Sequence, residues 1–436
     1  MPEIIEIAVA KIAVVAAPSP ARLIACFDGT WNNDRSNTNV SRLFRKIADE
    51  TCRCSEQRRF YDEGVGTKWG ERLRGGVFGI GLDRNIRQGF AWLGSQFIVP
   101  AAAPVDEDKF VLGPDIFLFG FSRGAFTARS LGGIINYLGL PRLTLSDTNG
   151  YKGPLYDHPT VTAAWDLYAN RPTPDDRVAV LAKKASGALV QKIAQHDAAV
   201  AEFRATKTVF PVRIHCLCVW DTVGALGVPK VVDYAWVPRF SSKFEFHDTR
   251  LGGCVTNAYH AMAIDEQRKP YCVTLWTDAK ETTKDVEQRW FPGAHADVGG
   301  GYDDDLLPDA PLAWIAEKAA AKGLCFVNDR RIADSSGVVK PYINQRPAAF
   351  DLDGREYLSP VHDSYSEFMK GFYKVLRSLP GAGGRVYRRM LVLEDGMAQT
   401  IDVTATKKMD ADPTYRPPNF AEAGRVDVNY RVAVIS

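Results

Sequence analysis

The chain has 436 residues, 46% hydrophobic and 24% charged, the balance of a soluble globular protein with room for one large or two ordinary domains. Its 54 basic and 52 acidic residues leave a net charge of +2, which gives no electrostatic case for nucleic-acid binding. No apolar run reaches the roughly 18 residues that a membrane-spanning helix needs.

Residues 1–21 form an N-terminal extension. Glu3 and Glu6 precede Lys11, the wrong charge order for a secretory leader, so a helix or edge strand is predicted. Arg22–Phe27 is a strand, and Asp28-Gly29-Thr30 begins a polar turn after it. Ser41 to about Asp49 is helical, with Leu43, Phe44 and Ile47 on one face. Arg59–Tyr61 is a short strand. The glycine-rich stretch Gly70–Gly81 has no phosphate-cradling pattern and is predicted to be a mobile loop. Asp83–Phe97 carries Ile86, Phe90, Leu93 and Phe97 at helical spacing.

The stretch Asp115–Ser130 organises the rest. Ile116–Phe119 is an apolar run of strand length, and Ala125–Tyr137 is compatible with a helix. Between them lies Gly120-Phe121-Ser122-Arg123-Gly124, the G-x-S-x-G pattern of a nucleophile elbow. By chance the bare pattern is expected roughly 0.1 times here, so the strand before it and the helix after it add needed weight. A strained turn that lifts the serine off the sheet needs small neighbours two residues away on each side. The helix after it brings a positive dipole end and the N–H of Arg123 toward a developing oxyanion. A loop after an early strand supplies the second such donor in α/β hydrolases, and Asp28, Gly29 and Thr30 are candidates.

Residues 141–211 interrupt the alternation of strands and helices. They hold Tyr151, Tyr156, Trp165 and Tyr168, then a long helical segment from Pro174 to about Ala205, read as a cap insertion. Val212–Trp220 is the next strand, ending at Asp221. Val231–Phe246 is rich in aromatics with Arg239 and Lys243 among them, a composition suited to an acyl-chain surface or to loop packing. Leu251–Ile264 is predicted helical and carries His260. Tyr271–Trp276 reads as a strand with Asp278 beyond it. Val286–Phe291 is another strand, followed by a glycine-rich loop with His295.

A nucleophilic serine needs an imidazole to take its proton and a carboxylate to orient that imidazole. The order Ser122, then Asp221 or Asp278, then His295 is that of α/β hydrolases. Spacing does not separate the two aspartates, since both follow strands. His260 and His362 compete with His295 as base, and His215 sits within a strand. The eight cysteines read as buried small hydrophobes, because Cys52-x-Cys54 lacks the second pair of a zinc site. Asp303-Asp304-Asp305 with Asp297 fits no calcium loop, so no metal or cofactor is predicted.

Six motifs in order are similar to one family: F-D-G-T-W-N from Phe27, Y-D-E-G-V-G-T from Tyr61, G-F-S-R-G-A from Gly120, W-D-T-V-G from Trp220, H-A-M-A-I-D-E-Q-R from His260 and F-P-G-A-H-A-D-V-G-G-G-Y from Phe291. The chain from Leu23 to about Ala320 resembles the bacterial α/β-hydrolase family that includes phospholipase effectors of type VI secretion systems. The resemblance implies a mostly parallel central sheet with helices on both faces. It implies an esterase acting on glycerophospholipids, with Ser122 as nucleophile, Asp221 as acid and His295 as base. It further implies secretion from the producing cytoplasm into a rival cell, with secretion-apparatus and immunity-protein partners and a membrane substrate. His260, Asp265 and Arg268 share one motif and are read as a salt-bridge network supporting the catalytic loops. A hydrolase domain over 22–330 and a C-terminal extension over 331–436 complete the division. A carboxylesterase for small esters and an inactive binding module are the alternative functions.

Overall fold

The structure is a computed structural model that describes residues 21–29, 36–48, 56–64, 80–99, 104–143, 151–223, 251–268, 271–278, 283, 285–302, 306–333, 339–344, 352, 354–367, 385–388, 390, 397 and 399–419. Residues 1–20 of the N-terminal extension, the glycine-rich stretch from Gly70 to Gly79, the aromatic stretch Val231–Phe246, Thr30, and Asp303 to Asp305 lie outside them.

In chain order the elements are β1 (Arg22–Phe27), α1 (Asn39–Lys46), β2 (Gln57–Asp62), α2 (Ile80–Gln96), β3 (Asp115–Phe121), α3 (Arg123–Leu138), β4 (Leu140–Pro141), α4 (Pro159–Ala169), α5 (Pro174–Leu181), α6 (Gly187–Lys207), β5 (Thr208–Val209) and β6 (Ile214–Trp220). After them come β7 (Val255–Ala263), β8 (Asp285–Phe291), α7 (His295–Gly299), α8 (Asp309–Ala321), β9 (Phe326–Ala333), β10 (Val339–Asn344), α9 (Ser364–Glu367), β11 (Gln399–Ile401) and α10 (Val403–Ala411). Seven strands form one sheet in the order β11-β8-β7-β6-β3-β1-β2, and every pairing in it is parallel.

Strand alternation sends successive side chains to opposite faces. From β1 and β3, Leu23, Ala25, Phe27, Ile116 and Leu118 join the cluster built on α2 and α3. Ile24, Cys26, Phe117, Phe119 and Phe121 join the opposite cluster, built on α1 and α8. A sheet covered on both faces needs apolar residues at every position, which is why Ile116–Phe119 reads as an unbroken run and is fully buried. The chain leaves β1 toward β2 but leaves β3 toward β6, so the strand order reverses between β1 and β3. The carboxyl ends at such a reversal open a crevice, where α/β sheets keep their ligands.

Several expectations are corrected. Leu251–Ile264 is not a helix: Val255–Ala263 is strand β7, between β6 and β8, with all nine residues buried. A continuous buried run carries no periodicity that separates helix from strand. Tyr271–Trp276 is not a strand of the sheet, and its one β-bridge joins Val273 to Val223. The loop after β8 contains the helical turn α7. The long helical segment of the insertion is two helices, α5 and α6. They are separated by a break at Lys183, where φ is +56°, and α4 and α6 pack against α3. In the C-terminal region, Glu356–Leu358 is a 3₁₀ turn, and β11 adds the seventh strand beside β8.

Candidate active site

Ser122 stands between β3 and α3 with φ +57° and ψ −119°, a conformation that a residue with a side chain rarely adopts. The two flanking glycines are required by close backbone approach. A Cβ on Gly120 would lie 2.4 Å from the Gly124 carbonyl oxygen, and one on Gly124 would lie 2.0 Å from the Phe27 carbonyl oxygen. The elbow therefore packs directly on the end of β1. The Ser122 N–H donates to the Trp220 carbonyl at 3.1 Å, which ties the elbow to the end of β6.

Asp221 follows β6 immediately, and β6 pairs with β3 so that Trp220 lies opposite Phe121. Register thus sets Asp221 beside Ser122. Asp221 is fully buried, with φ +41°. His295 is the first residue of α7 and is 6% exposed. The Ser122 hydroxyl donates to His295 Nε2 at 2.8 Å, and His295 Nδ1–H donates to Asp221 Oδ2 at 2.5 Å. The structure brings together Ser122, His295 and Asp221. Asp278 is not the carboxylate that His295 contacts.

Three consecutive backbone N–H groups around the imidazole are each held by a buried carboxylate. Gly293 donates to Asp265 at 2.7 Å, Ala294 to Asp297 at 2.8 Å and His295 to Glu266 at 3.3 Å. Each carboxylate is anchored in turn. The Tyr415 hydroxyl donates to Asp265 at 2.7 Å. Arg268 grips Glu266 with two side-chain bonds at 2.8 and 2.9 Å, and Ser364 adds one at 3.0 Å. His362 Nδ1–H donates to Asp297 at 2.7 Å. Asp265 and Arg268 therefore support the loop that carries His295, but not as the expected salt-bridge network with His260: Arg268 pairs with Glu266, and Asp265 accepts from the Gly293 N–H and the Tyr415 hydroxyl. His260, in β7, accepts the Thr222 N–H at 3.1 Å and fixes the residue after Asp221. His362 contacts Asp297 rather than Ser122.

Burial pushes Asp221 toward higher pKa, but the charge of Arg388 and the bonds from His295 and Arg388 outweigh it and hold this carboxyl well below the usual range. Burial also lowers the pKa of His295, partly opposed by Asp221. Burial, with the charge of Arg129, pushes His260 down to about 3, so it is neutral. In Glu266 burial is outweighed by Arg268, and the group stays ionised. At neutral pH the resulting state is a carboxylate, a neutral imidazole free to accept a proton and a hydroxyl aimed at it.

Arg123 opens α3, so its N–H lies at the positive end of that helix. The early loop is a different matter. Asp28 N–H donates to the Asp62 carbonyl at 3.1 Å and Gly29 N–H to Asp28 Oδ1 at 2.6 Å, so both donors are engaged within the fold. The Asp28 carboxylate also accepts from Thr38 and Tyr61, each at 2.6 Å, and burial pushes it up to about 6. Its role is to shape the turn beside the elbow.

Sequence reasoning missed Arg388, Glu266, Asp297 and Ser364 as parts of this centre. Glu266 and Asp297 lay inside quoted motifs, where a carboxylate beside an arginine and two residues beyond a histidine is a usable signal. No local pattern marks Arg388 or Ser364. Among the described residues, no group of three or more His, Cys, Asp or Glu could hold a metal ion, and no helix is long and apolar enough to cross a membrane.

A doubly wound parallel sheet with a serine elbow at the reversal of strand order defines an α/β-hydrolase-like protein. The chain belongs to the family described as "T6SS, Phospholipase effector Tle1-like, catalytic domain", whose profile matches residues 21–318. An uncharacterized protein of Saccharomyces cerevisiae is 25% identical over 277 residues, 59% of this chain and 33% of the yeast protein. An uncharacterized protein from Pseudomonas aeruginosa is similar with a TM-score of 0.39 and 17% identity, covering 70% of this chain and 46% of that one. The Tle1 effector bound to the VgrG spike of the type 6 secretion system is similar with a TM-score of 0.34 and 17% identity, covering 66% and 52%. The chain thus spans from a third to about half of the length of these relatives.

Proposed function

We propose that the protein is a serine hydrolase that cleaves the carboxylic esters of glycerophospholipids through a covalent acyl-enzyme. The observation that carries this reading is the unbroken chain of hydrogen bonds from Ser122 Oγ through His295 to Asp221. In the first step Ser122 Oγ bonds to the ester carbonyl carbon as His295 Nε2 takes its proton. The tetrahedral oxyanion forms against the Arg123 N–H at the start of α3. The ester C–O bond then breaks, and the His295 proton goes to the departing glycerol oxygen. Water, deprotonated by the same imidazole, then bonds to the acyl carbon, the bond from that carbon to Ser122 Oγ breaks, and the His295 proton returns to Oγ as the fatty acid leaves. Asp221 stays ionised throughout and steadies the imidazolium.

Family membership supports the phospholipid substrate and the role of an effector delivered by a type VI secretion apparatus; action against a rival bacterium, with an immunity protein in the producing cell, is the role we assign to it. A soluble carboxylesterase on small esters and an inactive binding module are the competing readings. The test is fatty-acid release from phosphatidylglycerol–phosphatidylethanolamine vesicles by the wild type and Ser122→Ala. Release by the wild type alone fits the proposal. Equal release from both defeats the mechanism, and cleavage of short esters but not vesicles replaces the substrate class.

A further inference from the structure

The family profile ends at residue 318, yet the polar shell of the triad does not. Four buried carboxylates surround or belong to the triad: Asp221, Asp265, Glu266 and Asp297. Every one of them has a partner from beyond that point, namely Arg388, Tyr415, Ser364 and His362 respectively. Arg388 makes the most direct contact. Its Nη1 donates to Asp221 Oδ1 at 2.5 Å and its Nη2 to Asp221 Oδ2 at 2.9 Å. The same two nitrogens donate to the carbonyl of Ala263, at 2.9 Å, and to that of Tyr271. The Asp221 side chain is fully buried and that of Arg388 only 4% exposed.

We propose that Arg388 is a positioning residue for the triad, so that the segment after the matched domain is a working part of the active centre. The inference rests on the hydrolase reading of Ser122, His295 and Asp221. The fork fixes Asp221 at both oxygens and leaves Oδ2 facing His295 Nδ1. It also joins the ends of β6 and β7, at Asp221 and Ala263, to the 271 loop, whose Tyr271 ring packs edge-on against the His295 imidazole, with centroids 5.0 Å apart. Electrostatically, a guanidinium behind the carboxylate does two things. It keeps Asp221 ionised without bulk water, and it withdraws part of the negative field that would otherwise make His295 more basic. Removing the positive charge raises the proton affinity of both groups, and both changes move loss of activity in acid to higher pH. The other charged or titratable groups around this pair are Glu266 and Arg268, which neutralise each other, Asp265, which feels the charge of Arg388, Asp297, which is bonded to His362, His260, which is neutral, and Tyr271.

The experiment uses the full chain and the rate of Ser122 labelling by a fluorophosphonate, measured against pH. This readout needs an activated serine but no particular substrate. Arg388→Gln keeps donors for the Ala263 and Tyr271 carbonyls while removing the charge. Arg388→Met removes both, and Arg388→Lys keeps the charge. The expected result is an acid midpoint raised by roughly one to two pH units in the Gln and Met variants and close to wild type in Lys. A melting curve establishes that each variant is folded. Folded Gln and Met variants with a wild-type midpoint would overturn the proposal. So would failure of both to fold while Lys folds with a wild-type profile, since the arginine would then serve stability alone. If vesicles are not cleaved but labelling shifts as stated, only the substrate reading fails. If wild-type Ser122 is never labelled, the hydrolase reading and this inference fall together.

Discussion

Gly124→Ala probes the coupling between the elbow and β1. The added methyl would meet the Phe27 carbonyl oxygen at 2.0 Å, the Phe27 carbonyl carbon at 2.5 Å and the Asp28 carbonyl oxygen at 2.6 Å. All three are backbone atoms, two in the last residue of a strand that pairs with β2 and β3 on its two sides and one in the residue just after it, so no side chain can swing away. Relief to about 3.4 Å requires the start of α3 to retreat from β1 by about 1 Å or more, and overpacking of this kind costs about 1–3 kcal/mol. The retreat carries Ser122 with it, away from His295 Nε2 at 2.8 Å. Misplacement on that scale costs about 100-fold in rate. Urea unfolding should show the loss of stability, and fluorophosphonate labelling the loss of rate. Gly132→Ala, in the same helix, is the control. Its methyl would meet Ile214 at an ordinary 3.6 Å, so helix propensity should stabilise it by up to about 1 kcal/mol. A Gly124→Ala variant within about 0.5 kcal/mol of wild type and labelled within twofold of its rate would refute this reading of the elbow.

Three further outcomes are expected. Asp221→Asn should lower labelling at neutral pH by roughly 10⁴-fold, because an amide no longer selects the imidazole tautomer, and should destabilise the fold by about 3–5 kcal/mol in urea unfolding, because Arg388 is left buried without its counter-charge. Since burial lowers the pKa of His295 and Arg388 holds Asp221 low, wild-type labelling should fall in acid with its midpoint below the ordinary imidazole value of about 6.5; a midpoint above that value would contradict this. His260 is buried neutral at about 3, below the ordinary imidazole value of 6.5, so the unfolded chain binds the proton first. Stability therefore falls as pH drops from 6.5 toward 3, by a few kcal/mol from this group, and His260→Gln should flatten that slope in urea titrations at several pH values.

Much of the site was legible because chemistry and backbone constraint coincide there. Gly120 and Gly124 are glycine for steric reasons that the pattern already encodes, and the strand before Ser122 is apolar because both its faces are covered. His295 was identifiable as a histidine after a late strand. Asp221 was not separable from Asp278 by spacing, because register between β3 and β6 decides the matter and register is a long-range property. The same limit explains β7. Its nine buried residues look alike to a helical and an extended reading, and only the neighbouring strands impose one. Gly29 fitted the early loop that supplies an oxyanion donor in α/β hydrolases, but its N–H is taken by the carboxylate one residue earlier, a contact that composition does not reveal. Arg388 was invisible for the plainest reason: one arginine far along the chain carries no local signal until the fold brings it to Asp221.

The most direct test of the account is to treat the full-length protein with a fluorophosphonate at neutral pH and locate the adduct by peptide mass spectrometry. The account predicts one adduct, on Ser122, formed in the wild type and abolished in His295→Asn. An unmodified Ser122 in folded wild-type protein, or equal labelling in the histidine variant, would contradict it.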